Sequence, residues 1–229
     1  MYPYIILCGG LATRLGSIAA ETPKCLLQVN NKPFLYYQLK YLEKFGSQDV
    51  YLSVGHLSEY FYDFTQKYKF QNIDIKLIED GPLPLGTGGA VKNIIKRIGS
   101  PSFVMYGDSF LRVNFSDVCN SYNKNLGPLI VIYKNDDRYD KSNIHFNGNN
   151  IIYNKANPSH LSDHIDYGIG IYKYSDFENT IESFDLSLIQ ERFSKFKKLQ
   201  HFEAKKRFYE IGTPKSYKEA EEFFLKYED

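Results

Sequence analysis

The chain reads as an α/β protein: a mainly parallel sheet with helices on both faces. Two observations predict this. Strand-like and helix-like runs alternate in the order β-α-β-α-β-α-β through the first half of the sequence, an order that favours parallel strands joined by right-handed crossovers. Glycines also follow two of the apolar runs, at Gly9-Gly10 and at Gly107-Asp108, and ligands of such sheets sit at the carboxyl ends of strands. At 229 residues the chain is expected to be a single domain with its own core, residues 1–135 carrying the alternation and residues 136–229 closing the same domain.

The elements follow in order. Tyr4–Cys8 is an uninterrupted apolar run, as a buried strand requires. Pro33 opens a helix through Phe45 with Leu35, Leu39 and Leu42 on one face, and proline suits the first helical position. Val50–Val54 is a strand, and Ser58 is placed to cap a helix through Tyr68. Ile73–Ile78 is a strand, the segment DGPLPLGTGG a loop, and Ala90–Ile98 a helix. Phe103–Tyr106, a helix over Ser116–Lys124 and a strand at Leu129–Tyr133 complete the alternation. Beyond Asp136 the pattern loosens. Strands are expected at Ile144–Phe146, Ile151–Tyr153, Ile165–Tyr174 and Phe208–Ile211, with helices over Ser175–Ser183, Leu186–Phe196 and Pro214–Tyr227.

Composition excludes several classes. Lys and Arg number 28 against 27 Asp and Glu, a net charge of +1, which argues against nucleic acid as the main partner. The three cysteines, Cys8, Cys25 and Cys119, show no CxxC or Cys/His spacing, and Cys8 at a strand end reads as a small buried residue; a reducing cytoplasm fits. The first residues lack the basic stretch of a secretory signal, and no run approaches the ~20 apolar residues of a membrane span. The 20 Tyr and 17 Phe read as compositional drift.

Five segments carry chemistry. In LCGGLATRLG, glycines after a strand let backbone N–H groups approach phosphate oxygens, and Arg14 adds a charged fork. Neither GxxxxGK[ST] nor GxGxxG is present, so the two commonest phosphate loops are excluded. In Thr22-Pro23-Lys24-Cys25-Leu26 a lysine follows a rigid proline. In Pro84-Leu85-Gly86-Thr87-Gly88-Gly89-Ala90 three glycines in four residues let a flat ring or sugar lie against backbone. Asp108 ends a strand, where a carboxylate facing phosphates suits Mg²⁺, and Glu210 precedes a second glycine turn in Glu210-Ile211-Gly212-Thr213-Pro214.

Taken together, and in this order from Leu7 to Tyr217, the segments resemble the sugar-1-phosphate nucleotidyltransferases, most of all the branch of heptose 1-phosphate guanylyltransferases of bacterial surface (capsular) polysaccharide pathways. The resemblance implies a Rossmann-like three-layer fold, and in-line attack of a sugar 1-phosphate on the α-phosphorus of an NTP, with Mg²⁺ as cofactor. By position it implies Arg14, Lys24 and Asp108 as catalytic residues, and Leu7, Gly9, Gly10, Thr13, Arg14, Glu79, Gly86, Thr87, Gly88 and Gly89 around the nucleotide. It further implies Lys155, Asp166 and Gly168 at the sugar phosphate, Asp108 and Glu210 at the metal, and a homo-oligomer, a dimer. Many relatives have Asp at the place of Glu210, and Asn154-Lys155 stands where a Glu-Lys pair is common.

Guanine offers two adjacent donors, which one carboxylate accepts together; Glu79 and Asp80 are both placed for this and no glutamine is, so GTP is the expected nucleotide. Three other readings stand beside this one: a uridylyl- or cytidylyltransferase of the same fold, a non-catalytic relative that senses nucleotide sugars, and a glycosyltransferase of similar architecture, for whose DxD-like metal motif Asp136-Asp137 and Asp163-His164-Ile165-Asp166 are the nearest candidates. The second is expected to have lost Arg14, Lys24 or Asp108, and all three are present.

Overall fold

A computed structural model describes residues 1–10, 22–46, 48–55, 57–81, 84–148 and 150–227. In chain order the elements begin with β1 (Tyr4–Leu7), β2 (Gln28–Val29), β3 (Lys32–Pro33), α1 (Phe34–Glu43), β4 (Gln48–Val54), α2 (Glu59–Lys67) and β5 (Ile73–Glu79). There follow α3 (Gly86–Ile98), β6 (Ser102–Tyr106), β7 (Ser109–Phe110), α4 (Phe115–Ser121), β8 (Leu129–Lys134), β9 (Ile144–Phe146), β10 (Ile151–Tyr153) and β11 (His164–Tyr172). The chain ends with α5 (Ser187–Lys195), β12 (Gln200–Ala204), β13 (Tyr209–Glu210) and α6 (Pro214–Phe224).

These elements form two compact units. One comprises Pro3–Pro84, Met105–Leu111 and Phe208–Asp229. Its strands β1, β4 and β5 are parallel neighbours, with Leu7 opposite Ser53 and Ser53 opposite Ile78, so their carboxyl ends lie side by side. The same unit holds an aromatic-rich core of Phe34, Tyr37, Phe110, Ile211 and Phe224 with Leu27 and Val29. Tyr37 stacks on Phe224 at 4.0 Å and Tyr209 on Phe223 at 3.9 Å. Part of the aromatic richness of the sequence therefore has a structural purpose: flat rings fasten α6 to α1 and to the short β7–β13 ladder. The β2–β3 hairpin is tight, with Asn30 and Asn31 both at positive φ, and the Asn30 amide donates to Glu221 O of α6 at 2.9 Å.

The other unit comprises Met1–Tyr2, Leu85–Val104 and Arg112–Arg207. Here β12 runs parallel to β8, which pairs antiparallel with β11; β11 and β10 each pair antiparallel with β9. Between Asp166 and Gly170 the register of β11 against β8 shifts, leaving a bulge with Gly168 at φ +85°.

Three expectations are corrected, and one strand is added. α3 starts at Gly86, not Ala90, because its first turn is packed against residues 182–184. Residues 175–183 hold only a short 3₁₀ turn, Tyr174–Phe177, not a helix. Ser58 precedes α2 without a side-chain cap. A strand absent from the sequence reading, β12, lies along β8.

Candidate functional site

The carboxyl ends of β1, β4 and β5 carry the first group. Cys8 N–H donates to Ser53 O at 2.8 Å and Asp80 N–H to Val54 O at 3.0 Å, extending the ladder past the strands. Gly9 lies against Asp80: a Cβ on Gly9 would stand 3.1 Å from Asp80 Oδ2 and 3.4 Å from Gly55 N. Ser53 Oγ donates to Asp80 Oδ1 at 2.8 Å. Burial pushes the Asp80 carboxyl upward, opposed by the Ser53 hydrogen bond. Glu79 is exposed, and Tyr62 donates to it at 3.3 Å. Of the two carboxylates left open by the sequence, Asp80 is therefore the one beside the glycine turn. Leu7 and Gly10 lie in the same stretch; Thr13 and Arg14 fall outside the described residues.

Lys24 opens a 3₁₀ turn, Lys24–Leu26, whose Cys25 and Leu26 side chains are buried. With its neighbours anchored, the lysine reaches Asp108, Nζ to Oδ2 2.5 Å. Both side chains keep some exposure, 13% and 29%. The Asp108 turn is itself tightly held. Gly107 N–H donates to Leu7 O at 3.0 Å, and a Cβ at Gly107 would be 2.9 Å from that oxygen, so only glycine allows the approach. Ile211 N–H donates to Asp108 O at 3.0 Å, and Ser109 pairs with Glu210 across the β7–β13 ladder. That ladder sets Glu210 one register step from Asp108. Behind them, burial first and then the Cys25 thiol push the Cys8 thiol well up, so it is a packing group and not a nucleophile.

A pair of carboxylates on neighbouring strands is the donor set Mg²⁺ takes when phosphates and water complete its shell. Among the described residues there is no group of three or more His, Cys, Asp or Glu able to enclose a metal by itself.

The second group lies in the other unit. Gly88 N–H donates to Phe184 O at 2.9 Å, and Leu186 N–H donates to Thr87 Oγ1 at 2.8 Å. Gly88 and Gly89 are buried, and a Cβ on either would run into Phe184 or Glu182. Close packing of chain on chain thus accounts for two of the glycines in the segment that the sequence read as a ligand cradle. Gly89→Ala tests this. In an open helix the change gains about 1 kcal/mol. Here the new methyl meets the carbonyl of Glu182, and overpacking of this kind costs roughly 1–3 kcal/mol. The variant is expected to unfold at lower urea than wild type; an equal or higher midpoint would refute the clash.

Lys155 is exposed, with Nζ 3.4 Å from Asp185. Asp166 sits at the bulge of β11. Its Oδ1 accepts from Gly168 N–H at 3.0 Å and its Oδ2 from Gln190 Nε2 at 2.7 Å. Burial lifts its pKa to about 6 against those two hydrogen bonds, leaving it mostly ionised at neutral pH. Lys155, Asp166 and Gly168 thus belong to the unit that holds Gly86–Gly89, while Leu7, Gly9, Gly10, Lys24, Glu79, Asp108 and Glu210 belong to the first.

Sequence reasoning missed Ser53, Gln38 and Gln190. Gln38 and Gln190 are buried polar residues among apolar ones, at 1% and 2% exposure. For Gln38 the sequence did hold a signal, a glutamine beside the leucine stripe of α1.

An α/β fold whose parallel strands end beside a glycine turn, a fixed lysine and two carboxylates offers a site for a phosphorylated ligand at the carboxyl ends of its strands. The model of the MobA-like NTP transferase domain matches residues 4–158, and the chain belongs to that family. It is 30% identical over 226 residues to D-glycero-alpha-D-manno-heptose 1-phosphate guanylyltransferase of Aneurinibacillus thermoaerophilus, covering 95% of this chain and 96% of that one. It is 39% identical over 145 residues to the protein of the same name from Campylobacter jejuni, a match spanning 61% of this chain and 62% of that protein's length. The crystal structure of HddC from Yersinia pseudotuberculosis complexed with GMP-PN superposes with a TM-score of 0.82 at 30% identity, covering 98% of this chain and 100% of that one. No helix among the described residues is long and apolar enough to cross a membrane.

Proposed function

We propose that this protein is a sugar-1-phosphate guanylyltransferase that transfers GMP from GTP to D-glycero-α-D-manno-heptose 1-phosphate. An oxygen of the sugar phosphate attacks the α-phosphorus of GTP, the bond from that phosphorus to the α–β bridging oxygen breaks, and pyrophosphate leaves. The observation that carries the reaction class is the Lys24–Asp108 pair held at the strand ends. The heptose is taken from the names of the two relatives. The sugar phosphate is ionised at neutral pH, so the attack needs positioning and charge neutralisation rather than a protein base.

In this reading Gly9, Gly10, Thr13 and Arg14 hold the triphosphate, and Lys24 neutralises charge between the α-phosphate and the attacking phosphate. Asp108 and Glu210 would hold Mg²⁺, which when bound supplies further neutralisation of the phosphoryl oxygens. Gly86 and Thr87 border the nucleoside, and Lys155, Asp166 and Gly168 the sugar phosphate. The enzyme acts as a homodimer in the cytoplasm, where GTP is available, and supplies a GDP-sugar for capsular polysaccharide.

Asp80 reads the base. Its position beside Gly9, fixed by Ser53, lets one carboxylate accept from N1–H and the 2-amino group of guanine. Asp80→Asn keeps the shape and an acceptor for Ser53 but loses the charge. A hydrogen bond to a charged group is worth about 1.5–3 kcal/mol, so kcat/KM for GTP should fall roughly tenfold to a hundredfold. Glu79→Gln should change it less than about threefold. The panel that tests both steps measures pyrophosphate release from GTP, UTP, CTP, ATP and dTTP with heptose, mannose and glucose 1-phosphates. GTP with the heptose phosphate should lead. UTP ahead of GTP would overturn the base assignment, and no release with any pair would overturn the reaction.

A further inference from the structure

We infer that Gln38 is a positioning residue that fixes the Asp108 carboxylate for metal binding; this rests on the reading of Asp108 as a Mg²⁺ ligand. Gln38 lies on α1, 1% exposed. Its Nε2 donates to Tyr106 O at 2.9 Å and to Ser109 O at 2.7 Å. These two carbonyls flank Gly107-Asp108, so one side-chain amide brackets the turn that carries the acid. Both amide hydrogens are used, while Oε1 is buried with no partner among the described residues. The orientation is therefore decided by the donors: turning the amide over would set its oxygen against two carbonyls.

The rest of the turn is tied by backbone. Gly107 N–H is held by Leu7 O and Asp108 O by Ile211 N–H. The Gln38 bonds add the restraint from the helix side. A buried core position occupied by Leu or Met would gain apolar packing, whereas glutamine leaves a buried oxygen unpaired, which is unfavourable. That cost is understandable if the amide's task is to hold the turn. Asparagine is one methylene too short for the same reach, and an ionised glutamate has no proton to donate. Groups that orient a metal ligand from behind typically change metal affinity about tenfold to a hundredfold when removed.

The test uses Gln38→Met, which fills a similar volume without donors. Mn²⁺ binding is read by electron paramagnetic resonance alongside the Mg²⁺ concentration for half-maximal turnover and the KM for GTP. The expected result is Mn²⁺ bound about tenfold more weakly, a matching rise in the Mg²⁺ requirement, and a KM for GTP at saturating Mg²⁺ within about threefold of wild type. Unchanged Mn²⁺ affinity would overturn the inference, as would a loss of GTP binding equal to the loss of metal. Should Gln38→Met fail to fold, Gln38→Asn keeps the donors but withdraws them; Mn²⁺ weakened about threefold or more supports the inference and wild-type affinity overturns it. Asp108→Asn separates the two levels. If it binds Mn²⁺ as wild type does, the metal reading itself fails; if it loses Mn²⁺ while the Gln38 variants keep it, only the positioning inference fails.

Discussion

Lys24→Ala is expected to lower kcat about a thousandfold while leaving the protein folded. Among the described residues, the lysine is a cation on the strand-end side fixed by both backbone and partner: a 3₁₀ turn behind it, buried Cys25 and Leu26 beside it, and Asp108 at 2.5 Å in front. A preorganised charge aimed at developing negative charge is worth about 10²–10³ in rate when it is a single donor. In the proposed reading Lys24 neutralises charge between two phosphates that repel each other, so the upper end applies. The fold is expected to survive, because Asp108 keeps 29% exposure and can be hydrated once the lysine is removed. Lys24→Arg should not rescue: the guanidinium is longer and planar and does not reproduce a compact ammonium 2.5 Å from Asp108. Pyrophosphate release under saturating substrates, together with far-ultraviolet circular dichroism, decides it. A folded Lys24→Ala with normal turnover would remove the residue from the mechanism.

Much of this framework was legible in the sequence because buried parallel strands are continuous apolar runs. Tyr4–Leu7 and Leu129–Lys134 announce themselves in this way, and the glycines after Leu7 and Tyr106 mark where the chain turns at the strand ends. What escaped depends on partners far away in sequence. The GTGG segment reads as a loop by propensity, yet it forms the first turn of α3 because residues 182–184 fill the space that side chains would occupy. β12, Gln-His-Phe-Glu-Ala, is half-buried and polar, and becomes a strand through its ladder with β8. The same holds at the site. Glu79 and Asp80 are adjacent acids that no sequence rule separates; Ser53 and Gly9, brought alongside by the parallel register, single out Asp80. Aromatic residues scattered from Phe34 to Tyr227 look like drift until they meet in one core with Phe110 of β7 and Tyr209 of β13.

Asp108→Asn should cost as much turnover as Lys24→Ala, and the combined variant little more than either alone. Asparagine keeps the size of the side chain, and its oxygen can still accept from Ser109 Oγ, which lies 3.2 Å from Asp108 Oδ1. The turn, held by Gly107 N–H, Asp108 O and Gln38, does not depend on the carboxylate, so the fold should survive. The lost charge removes two things together. Mg²⁺ loses one of the two carboxylates proposed to hold it, and Lys24 Nζ loses the partner that sets its position. A neutral amide is a weaker partner for an ammonium, roughly by the twofold difference between neutral and charge-assisted bonds. Groups that act as a unit give strongly non-additive losses. The expected pattern is therefore a fall of about a thousandfold for each single variant and less than about tenfold more for the pair. Independent action would instead multiply the two losses, leaving no measurable rate, and would show that Lys24 and Asp108 serve separate steps.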